Sequence, residues 1–255
     1  MEKYMLDLVV KDNLKLNDQY FLLILSGNKA LPNMLPGQFV EVRVDNTPNA
    51  FLRRPISINF IDYQRNELWL LIQIVGEGTR KLSEIKSNDI LNLLLPLGNS
   101  FTIPNRHNIN VLLVGGGVGI APLLYLGYKL QEKGVNCHFL LGGRSKDNLL
   151  QLDQFSEYGK VYTTTEDGTH GEKGFVTNHS VLSTKFDFIY TCGPTPMMKA
   201  VANFAKQNNI ECEVSLENTM ACGFGACLCC VTDSIDGHVC VCTEGPVFNI
   251  SKLKW

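Results

Sequence analysis

The chain has 255 residues, of which 45% are hydrophobic, and this is enough for two compact domains with a small addition. Its 23 basic and 25 acidic residues give a formal net charge of −2. This balance excludes the general positive field that would hold a nucleic acid or an anionic membrane. We therefore expect a protein or a small molecule as partner, with no nucleic acid and no membrane.

The first hundred residues contain short apolar runs separated by turn-forming residues. The runs lie at residues 4–10, 20–25, 39–44, 56–61, 68–75 and 90–95. This spacing predicts a small antiparallel β-barrel. Only residues 79–85 have a helical pattern, and they follow Gly76-Glu77-Gly78, where a helix N-terminus could bind an anion.

Arg53-Arg54-Pro55-Ile56-Ser57 stands at the start of one predicted barrel strand. It supplies a guanidinium that can grip a pyrophosphate and a hydroxyl that can bond a flavin. Taken alone, an exposed basic pair at a strand edge is an equally good interpretation. The anion-binding turn Gly76-Glu77-Gly78-Thr79, one strand later, favours a flavin dinucleotide.

From about residue 108 the pattern changes to strands that alternate with helices. Strands are predicted at residues 109–114, 137–141, 160–164, 186–191 and 210–214, and helices at 121–131, 147–158 and 196–207. Such alternation predicts a parallel sheet covered on both faces.

Two glycine-containing loops follow predicted strands of this sheet. Gly115-Gly116-Gly117-Val118-Gly119 can present backbone N–H groups to a pyrophosphate, although Ile120 stands where a strict G-x-G-x-x-G pattern has glycine, so a purely structural turn remains open. Cys192-Gly193-Pro194 ends another strand and belongs at the same edge. Two such loops at one edge predict a nucleotide cleft. NADH or NADPH is left open, because Arg144 could meet a 2′-phosphate or lie in solvent.

Six of the nine cysteines fall between residues 222 and 242. The only early apolar run, residues 21–25, is too short for a signal peptide, so we expect a cytoplasmic protein with metal-binding thiols rather than disulfides. Cys222, Cys227 and Cys230 have the C-x4-C-x2-C spacing of plant-type [2Fe-2S] loops. Cys240 or Cys242, on the returning strand of a predicted hairpin, would close the site. A zinc site, inert buried thiols or ligation by Cys229 are the alternatives.

The order of these motifs resembles the ferredoxin–NADP reductase superfamily over nearly the whole chain. With Glu217-Asn-Thr-Met-Ala-Cys222 and Cys242-Thr-Glu-Gly-Pro-Val-Phe248, it is most similar to the electron-transfer subunits of NAD-dependent (B-type) dihydroorotate dehydrogenases. The resemblance favours Cys242 over Cys240, with Cys222, Cys227 and Cys230 as the other ligands. It places the FAD contacts on Arg54, Pro55, Ile56, Ser57, Leu71, Ile72, Gln73, Gly78 and Thr79. Gln73 departs from the basic residue of many relatives.

The resemblance implies a multi-domain β plus α/β fold. Its parts would be an FAD-binding barrel at residues 1–103, an NAD-binding α/β domain at 104–215 and a small [2Fe-2S] subdomain at 216–255. NAD(H), as substrate, would lie on Gly115, Gly116, Gly117, Gly119, Cys192, Gly193 and Pro194.

The implied function is electron transfer in pyrimidine biosynthesis, between NAD and a partner subunit. The partner would carry FMN and oxidise dihydroorotate to orotate, in a hetero-oligomer such as a heterotetramer. No residue of this chain is expected to act as an acid or base on the pyrimidine. The rivals are the small subunit of a ferredoxin:NADP oxidoreductase or sulfide dehydrogenase, in which Asp often replaces Cys222, and a non-catalytic iron–sulfur redox sensor.

Overall fold

The structure, a computed structural model, describes residues 2–45 and 50–255. The chain divides into two compact units. The first comprises Met1–Ser100, Asn218–Thr232 and His238–Pro246, and the second comprises Phe101–Glu217, Asp233–Gly237 and Val247–Trp255. The C-terminal segment thus contributes to both units, and the predicted boundaries at residues 103 and 215 stay predictions.

The first unit is built on an antiparallel sheet of seven strands. They are β1 (Tyr4–Lys15), β2 (Tyr20–Ser26), β3 (Phe39–Val42), β4 (Arg54–Ser57), β5 (Phe60–Asp62), β6 (Glu67–Gln73) and β7 (Ile90–Leu97). Their order across the sheet is β4-β3-β7-β1-β2-β6-β5. Leucines of β2, β6 and β7 form its fully buried core, among them Leu23, Leu25, Leu68, Leu70, Leu93 and Leu95.

The sheet curls until its two ends meet. Only Ile58 and Asn59 separate β4 from β5, although these strands lie at opposite ends of the sheet order. The Ile58 N–H donates to the Gln38 carbonyl at 3.0 Å, and the Asn59 N–H donates to the Trp69 carbonyl at 3.0 Å. The run at residues 56–61, predicted as one strand, is therefore split in two, because the chain crosses here from one end of the sheet to the other.

Helix α1 (Glu77–Ser83) follows β6 and begins two residues earlier than predicted. The hydroxyl of Thr79 explains the early start. It accepts from the N–H groups of Val75 at 2.9 Å and Gly76 at 3.2 Å, so it satisfies backbone donors ahead of the first turn.

The second unit contains a parallel sheet of six strands. They are β8 (Asn110–Gly116), β9 (Asn136–Gly143), β10 (Lys160–Thr165), β11 (Glu172–Lys173), β12 (Phe188–Cys192) and β13 (Glu211–Ser215). Helix α2 (Ala121–Glu132) links β8 to β9, and α4 (Thr195–Gln207) links β12 to β13 on the other side of β8. Because such crossovers are almost always right-handed, two that run in opposite directions from the middle of a sheet put their helices on opposite faces, in line with the sequence prediction.

The predicted helix at residues 147–158 is wrong in extent. Only α3 (Leu152–Ser156) is α-helical, and a single 3-10 turn (Lys146–Asn148) precedes it. Gln151 adopts φ 55°, in the left-handed region, and separates the two pieces.

The C-terminal segment begins with a hairpin of β14 (Val231–Ser234) and β15 (Gly237–Cys240). The sequence predicted Cys242 on the returning strand of this hairpin. The structure places it instead in a short helix, α5 (Val241–Glu244). The strand ends at Cys240, whose N–H donates to the Glu244 carboxylate at 2.7 Å. β16 (Val247–Asn249) then joins the parallel sheet as an antiparallel neighbour of β13. Within the described residues, no helix is long and apolar enough to cross a membrane.

Candidate cofactor sites

The residues predicted to contact FAD all lie in the first unit. Arg54, Pro55, Ile56 and Ser57 form β4, each of them half-buried. Leu71, Ile72 and Gln73 end β6, which lies against β4, and Gly78 and Thr79 are in the first turn of α1. The fold thus brings three separated stretches of sequence together.

Arg54 and Gly78 provide the tightest contact in this group. A Cβ on Gly78 would lie 2.5 Å from Arg54 Nε and 2.9 Å from its Nη2, so the guanidinium packs directly on the helix backbone. Its Nη1 donates to the Leu52 carbonyl at 2.7 Å, which orients the side chain. A guanidinium beside the first N–H groups of a helix is a suitable environment for a pyrophosphate. The residues present therefore fit a flavin dinucleotide.

Arg53 has a different role from its neighbour. Its Nη2 donates to Asn92 Oδ1 at 2.5 Å, and its Nη1 donates to the carbonyls of Glu41 at 3.2 Å and Asn92 at 3.1 Å. The Asn92 amide in turn donates to Asp7 Oδ1 at 2.6 Å. Arg53 thus ties β3 to β7 inside the sheet.

Because of these contacts, Arg53→Ala should destabilise the protein more than it weakens flavin binding. Hydrogen bonds of a charged group contribute about 1.5–3 kcal/mol, which lowers the melting temperature of a chain of this size by about 3–12 °C. Thermal unfolding without flavin measures the first effect, and flavin titration of the folded variant measures the second. An unchanged melting temperature would contradict the structural role.

The two glycine-containing loops of the second unit meet at one edge of its sheet. Cys192, the last residue of β12, pairs in register with Gly115 of β8. A Cβ on Gly119 would lie 2.4 Å from the Gly193 Cα, so the two backbones are in direct contact. Gly116 also packs against this loop, because a Cβ added to it would lie 3.3 Å from the Pro194 Cδ. Gly117, with φ 57°, turns the chain into α2.

This edge lies where the chain order reverses across the sheet, with β9 on one side of β8 and β12 on the other. Nucleotides bind at such a point in open α/β sheets. The glycines allow the two loops to pack closely, and the helices that follow them, α2 and α4, therefore begin at the same edge, where their first N–H groups can receive a phosphate. The residues therefore fit a nicotinamide nucleotide.

Glu217, which the sequence analysis named only as part of the motif before Cys222, is a neighbour of this edge. Its Oε1 lies 3.9 Å from the Cys192 Sγ, and Cys192 is fully buried. Burial, followed by the Glu217 charge, raises the pKa of the Cys192 thiol well above its usual value, so the thiol stays neutral. The proximity of Cys192 and Glu217 could have been inferred from the pairing of β12 with β13. Ser215 lies opposite Cys192 in that pairing, and Glu217 comes two residues later.

The cysteine loop at residues 222–230 folds its backbone around the Cys222 sulfur. Gly223, Gly225 and Leu228 have positive φ values of 74°, 87° and 57°. Burial raises the pKa of the Cys222 thiol, but three backbone N–H groups and one thiol that donate to it outweigh burial and lower the pKa to about 6. The donors are the N–H groups of Phe224, Cys227 and Ala226 and the thiol of Cys227. The loop therefore favours a thiolate at Cys222.

The four thiols predicted as ligands associate in two pairs. The thiols of Cys222 and Cys227 are hydrogen-bonded to each other, as are those of Cys230 and Cys242, and all four are free thiols. The Cys242 N–H also donates to the Cys230 Sγ at 3.4 Å. Burial and the Cys230 thiol raise the pKa of Cys242 to about 12, and the Gly225 N–H acts against them.

Two pairs fit a two-iron cluster better than a single metal ion. In the described part of the chain, no three His, Cys, Asp or Glu side chains converge where one metal ion could be held. A [2Fe-2S] cluster instead takes two thiolates on each iron. The inward N–H groups would also compensate the negative charge of the sulfurs.

The remaining cysteines have other surroundings. Cys229 is exposed, and its thiol donates to the Thr219 carbonyl at 3.7 Å. Burial and then the charge of Cys230 raise the pKa of Cys240, so Cys240 also lies near the predicted ligands, but the thiol hydrogen-bonded to Cys230 is that of Cys242. Cys137 and Cys212 are buried in the second unit, where burial raises the pKa of each to about 12.

Asn99 of the first unit holds the helix that carries Cys242. Its amide donates to the carbonyls of Thr243 at 3.3 Å and Glu244 at 2.8 Å, and its N–H donates to the Gly245 carbonyl at 2.6 Å. The end of the barrel thereby fixes the position of the last predicted ligand.

Comparison with known proteins agrees with this arrangement. Residues 217–254 match the family model of the "iron-sulfur cluster binding domain of dihydroorotate dehydrogenase B", and residues 113–203 match the "oxidoreductase NAD-binding domain". The chain is 36% identical to the dihydroorotate dehydrogenase B (NAD(+)) electron transfer subunit of Fusobacterium nucleatum over 256 residues, 97% of this chain and 98% of that protein. It is 38% identical to the same subunit of Bacillus velezensis, over 96% and 97%. The chain belongs to this family.

Members of the dihydroorotate dehydrogenase B electron transfer family are NAD-linked oxidoreductase subunits, and the fold observed here is the ferredoxin reductase-like fold. A solved structure of an NADH-dependent reduced ferredoxin-NADP oxidoreductase superimposes with a TM-score of 0.87 at 31% identity, covering 97% of this chain and 90% of that one. The family and fold implied by the sequence motifs are thus confirmed.

Proposed function

We propose that this chain transfers electrons between NAD(H) and an FMN-containing subunit that oxidises dihydroorotate to orotate. One observation carries the proposal. The Arg54 and Gly78 contact and the four paired thiols belong to the same compact unit. A flavin and a cluster held there would share one rigid support.

When bound, FAD supplies exchange of two electrons with NAD(H), and the cluster supplies transfer of single electrons. The chain's own residues bind and orient these groups. Arg54 and Gly78 would hold the flavin pyrophosphate, and Pro55, Ile56 and Ser57 would line the flavin together with Leu71, Ile72, Gln73 and Thr79. Cys222, Cys227, Cys230 and Cys242 would hold the cluster.

The nicotinamide nucleotide would lie on the two loops of the second unit. Gly115, Gly116, Gly117 and Gly119 would face its pyrophosphate, with Cys192, Gly193 and Pro194 beside them. The neutral, buried Cys192 thiol offers a close surface without a charge. No residue is assigned as an acid or base on the pyrimidine.

The partner would be a catalytic subunit with FMN in a cytoplasmic hetero-oligomer. The cluster loop exposes two large apolar side chains, Phe224 at 51% and Leu228 at 64%. Leu228 is also held at a positive φ, which is uncommon outside glycine. These features support the loop as part of the interface, close to the cluster.

A second candidate function is the small subunit of a ferredoxin:NADP oxidoreductase. The close superposition on such a structure favours it. Cys222 counts against it, because that group often has aspartate there. A non-catalytic iron–sulfur sensor is disfavoured by the paired nucleotide loops, which a sensor would not need.

The absorption spectrum of the purified protein tests the proposal. We expect flavin bands with a broad iron–sulfur shoulder, and both should bleach anaerobically when NADH is added in excess, since FAD takes up two electrons and the cluster one. NADPH at the same concentration measures the coenzyme preference. A colourless protein that binds zinc would contradict the proposal and support the sensor.

A further inference from the structure

Glu41, in the middle of β3, is a buried carboxyl that the proposed sites do not yet use. Its exposure is 0%, and neither carboxylate oxygen has a hydrogen-bond partner among the described residues. Burial of an unpaired carboxyl costs several kcal/mol, whereas a valine or leucine would pack there without that penalty. Stability alone therefore does not explain why a glutamate occupies this position.

The carboxyl of Glu41 lies against the cysteine loop. A Cβ on Gly223 would lie 2.9 Å from Glu41 Cγ and 3.3 Å from its Oε1. Gly223 directly follows Cys222, and its φ of 74° turns the loop backbone towards β3. A side chain at residue 223 would displace the carboxyl from the loop.

Arg53, and Arg54 of the proposed flavin site, are the positive charges that act on Glu41. The backbone carbonyl of Glu41 accepts from the Arg53 guanidinium, and β3 pairs with β4 so that Val42 lies opposite Arg54. Burial raises the pKa of Glu41 to about 7, with the positive charge of Arg53 acting against it. The next largest influence is the charge of Cys222, which raises the pKa further. Glu41 thus interacts electrostatically with both proposed sites.

We propose that Glu41 lowers the reduction potential of the iron–sulfur cluster. This inference rests on the proposed ligation of the cluster by Cys222, Cys227, Cys230 and Cys242. One-electron reduction adds one negative charge and neither forms nor breaks a bond. A carboxylate held in a dry interior beside the loop opposes that added charge much more strongly than one in water. Glu41 acts through the loop and is not a catalytic residue.

The test is a redox titration of the full chain with FAD and cluster, followed by electron paramagnetic resonance at pH 8. Glu41→Gln keeps the shape and removes the charge. At the wild-type midpoint potential, we expect its ratio of reduced to oxidised cluster to rise about tenfold, an upward shift of ~59 mV. Glu41→Asp, which keeps the charge, should stay closer to wild type, and the flavin midpoint should move less than that of the cluster.

Glu67→Gln is the matched control. Glu67 is also buried in the first unit, but it begins β6 and is paired with Lys11 at 3.0 Å, so its loss should leave the cluster potential unchanged. An unchanged potential in Glu41→Gln, an equal shift in Glu67→Gln or loss of the cluster from Glu41→Gln would each overturn the inference. A wild-type protein without the cluster signal would instead contradict the proposed function.

Discussion

Replacing any one of the four paired cysteines with serine should remove the cluster from the purified protein. The four are Cys222, Cys227, Cys230 and Cys242. Iron should fall from about two atoms per chain to near zero, because a serine hydroxyl is a much poorer iron ligand than a thiolate and one of the two irons would lose half of its protein ligands, which breaks the cluster. Iron and sulfide analysis measures the loss, and circular dichroism shows whether the variant is folded.

The neighbouring cysteines supply the controls for this series. Cys229 and Cys240 lie within two residues of proposed ligands, so Cys229→Ser and Cys240→Ser test whether mere proximity matters. Both variants should keep their iron, since neither thiol belongs to the two bonded pairs. Iron loss in either control, together with retention in Cys230→Ser or Cys242→Ser, would contradict the assignment.

Arg54→Ala should lower the affinity for FAD by roughly ten- to a hundredfold or more. Charge-assisted hydrogen bonds contribute on the order of 1.5–3 kcal/mol each, and ~1.4 kcal/mol corresponds to one decade of affinity. The packing of this guanidinium on Gly78 places it where α1 begins, and the neighbouring Arg53 cannot replace it because its guanidinium is bound to Glu41 and Asn92. Titration of flavin-free protein with FAD, followed by flavin fluorescence, measures the change.

Two further variants make the Arg54 experiment specific. Arg54→Lys keeps the charge but loses the planar fork, so its affinity should fall between those of wild type and Arg54→Ala. Arg65→Ala removes an exposed arginine that pairs with Asp62 at 3.7 Å, and this variant should bind FAD as wild type does. If Arg54→Ala also binds FAD with unchanged affinity, the flavin site lies elsewhere.

Much of the fold follows from local sequence patterns. β2 and β7 are apolar runs bounded by polar residues, and α2 has Pro122 in its first turn. These local patterns were sufficient to predict the three elements. The exceptions depend on contacts that local pattern does not contain. Residues 147–158 have a helical composition, but the left-handed Gln151 interrupts them. β16 has three residues, and only pairing with β13 makes it a strand.

In the candidate sites, too, short continuous motifs could be predicted from the sequence, whereas contacts between distant residues could not. Cysteine spacing and glycine loops could be recognised because each motif is short and continuous. The roles of Arg53 and Arg54 could not be distinguished, since the decisive partner of Arg53 is Asn92, 39 positions away. Glu41 was missed because it occupies an ordinary position in an apolar strand. Its proximity to Gly223 arises only when the C-terminal loop folds onto the sheet.

The most direct test of electron transfer is an assay of the purified chain, loaded with FAD and cluster, with and without its partner. Alone, it should pass electrons from NADH to an artificial acceptor and should form no orotate from dihydroorotate. When a purified FMN-bearing dihydroorotate dehydrogenase subunit is added, dihydroorotate should drive the reduction of NAD. Orotate formation by the chain alone, or no NAD reduction by the assembled pair, would contradict the account.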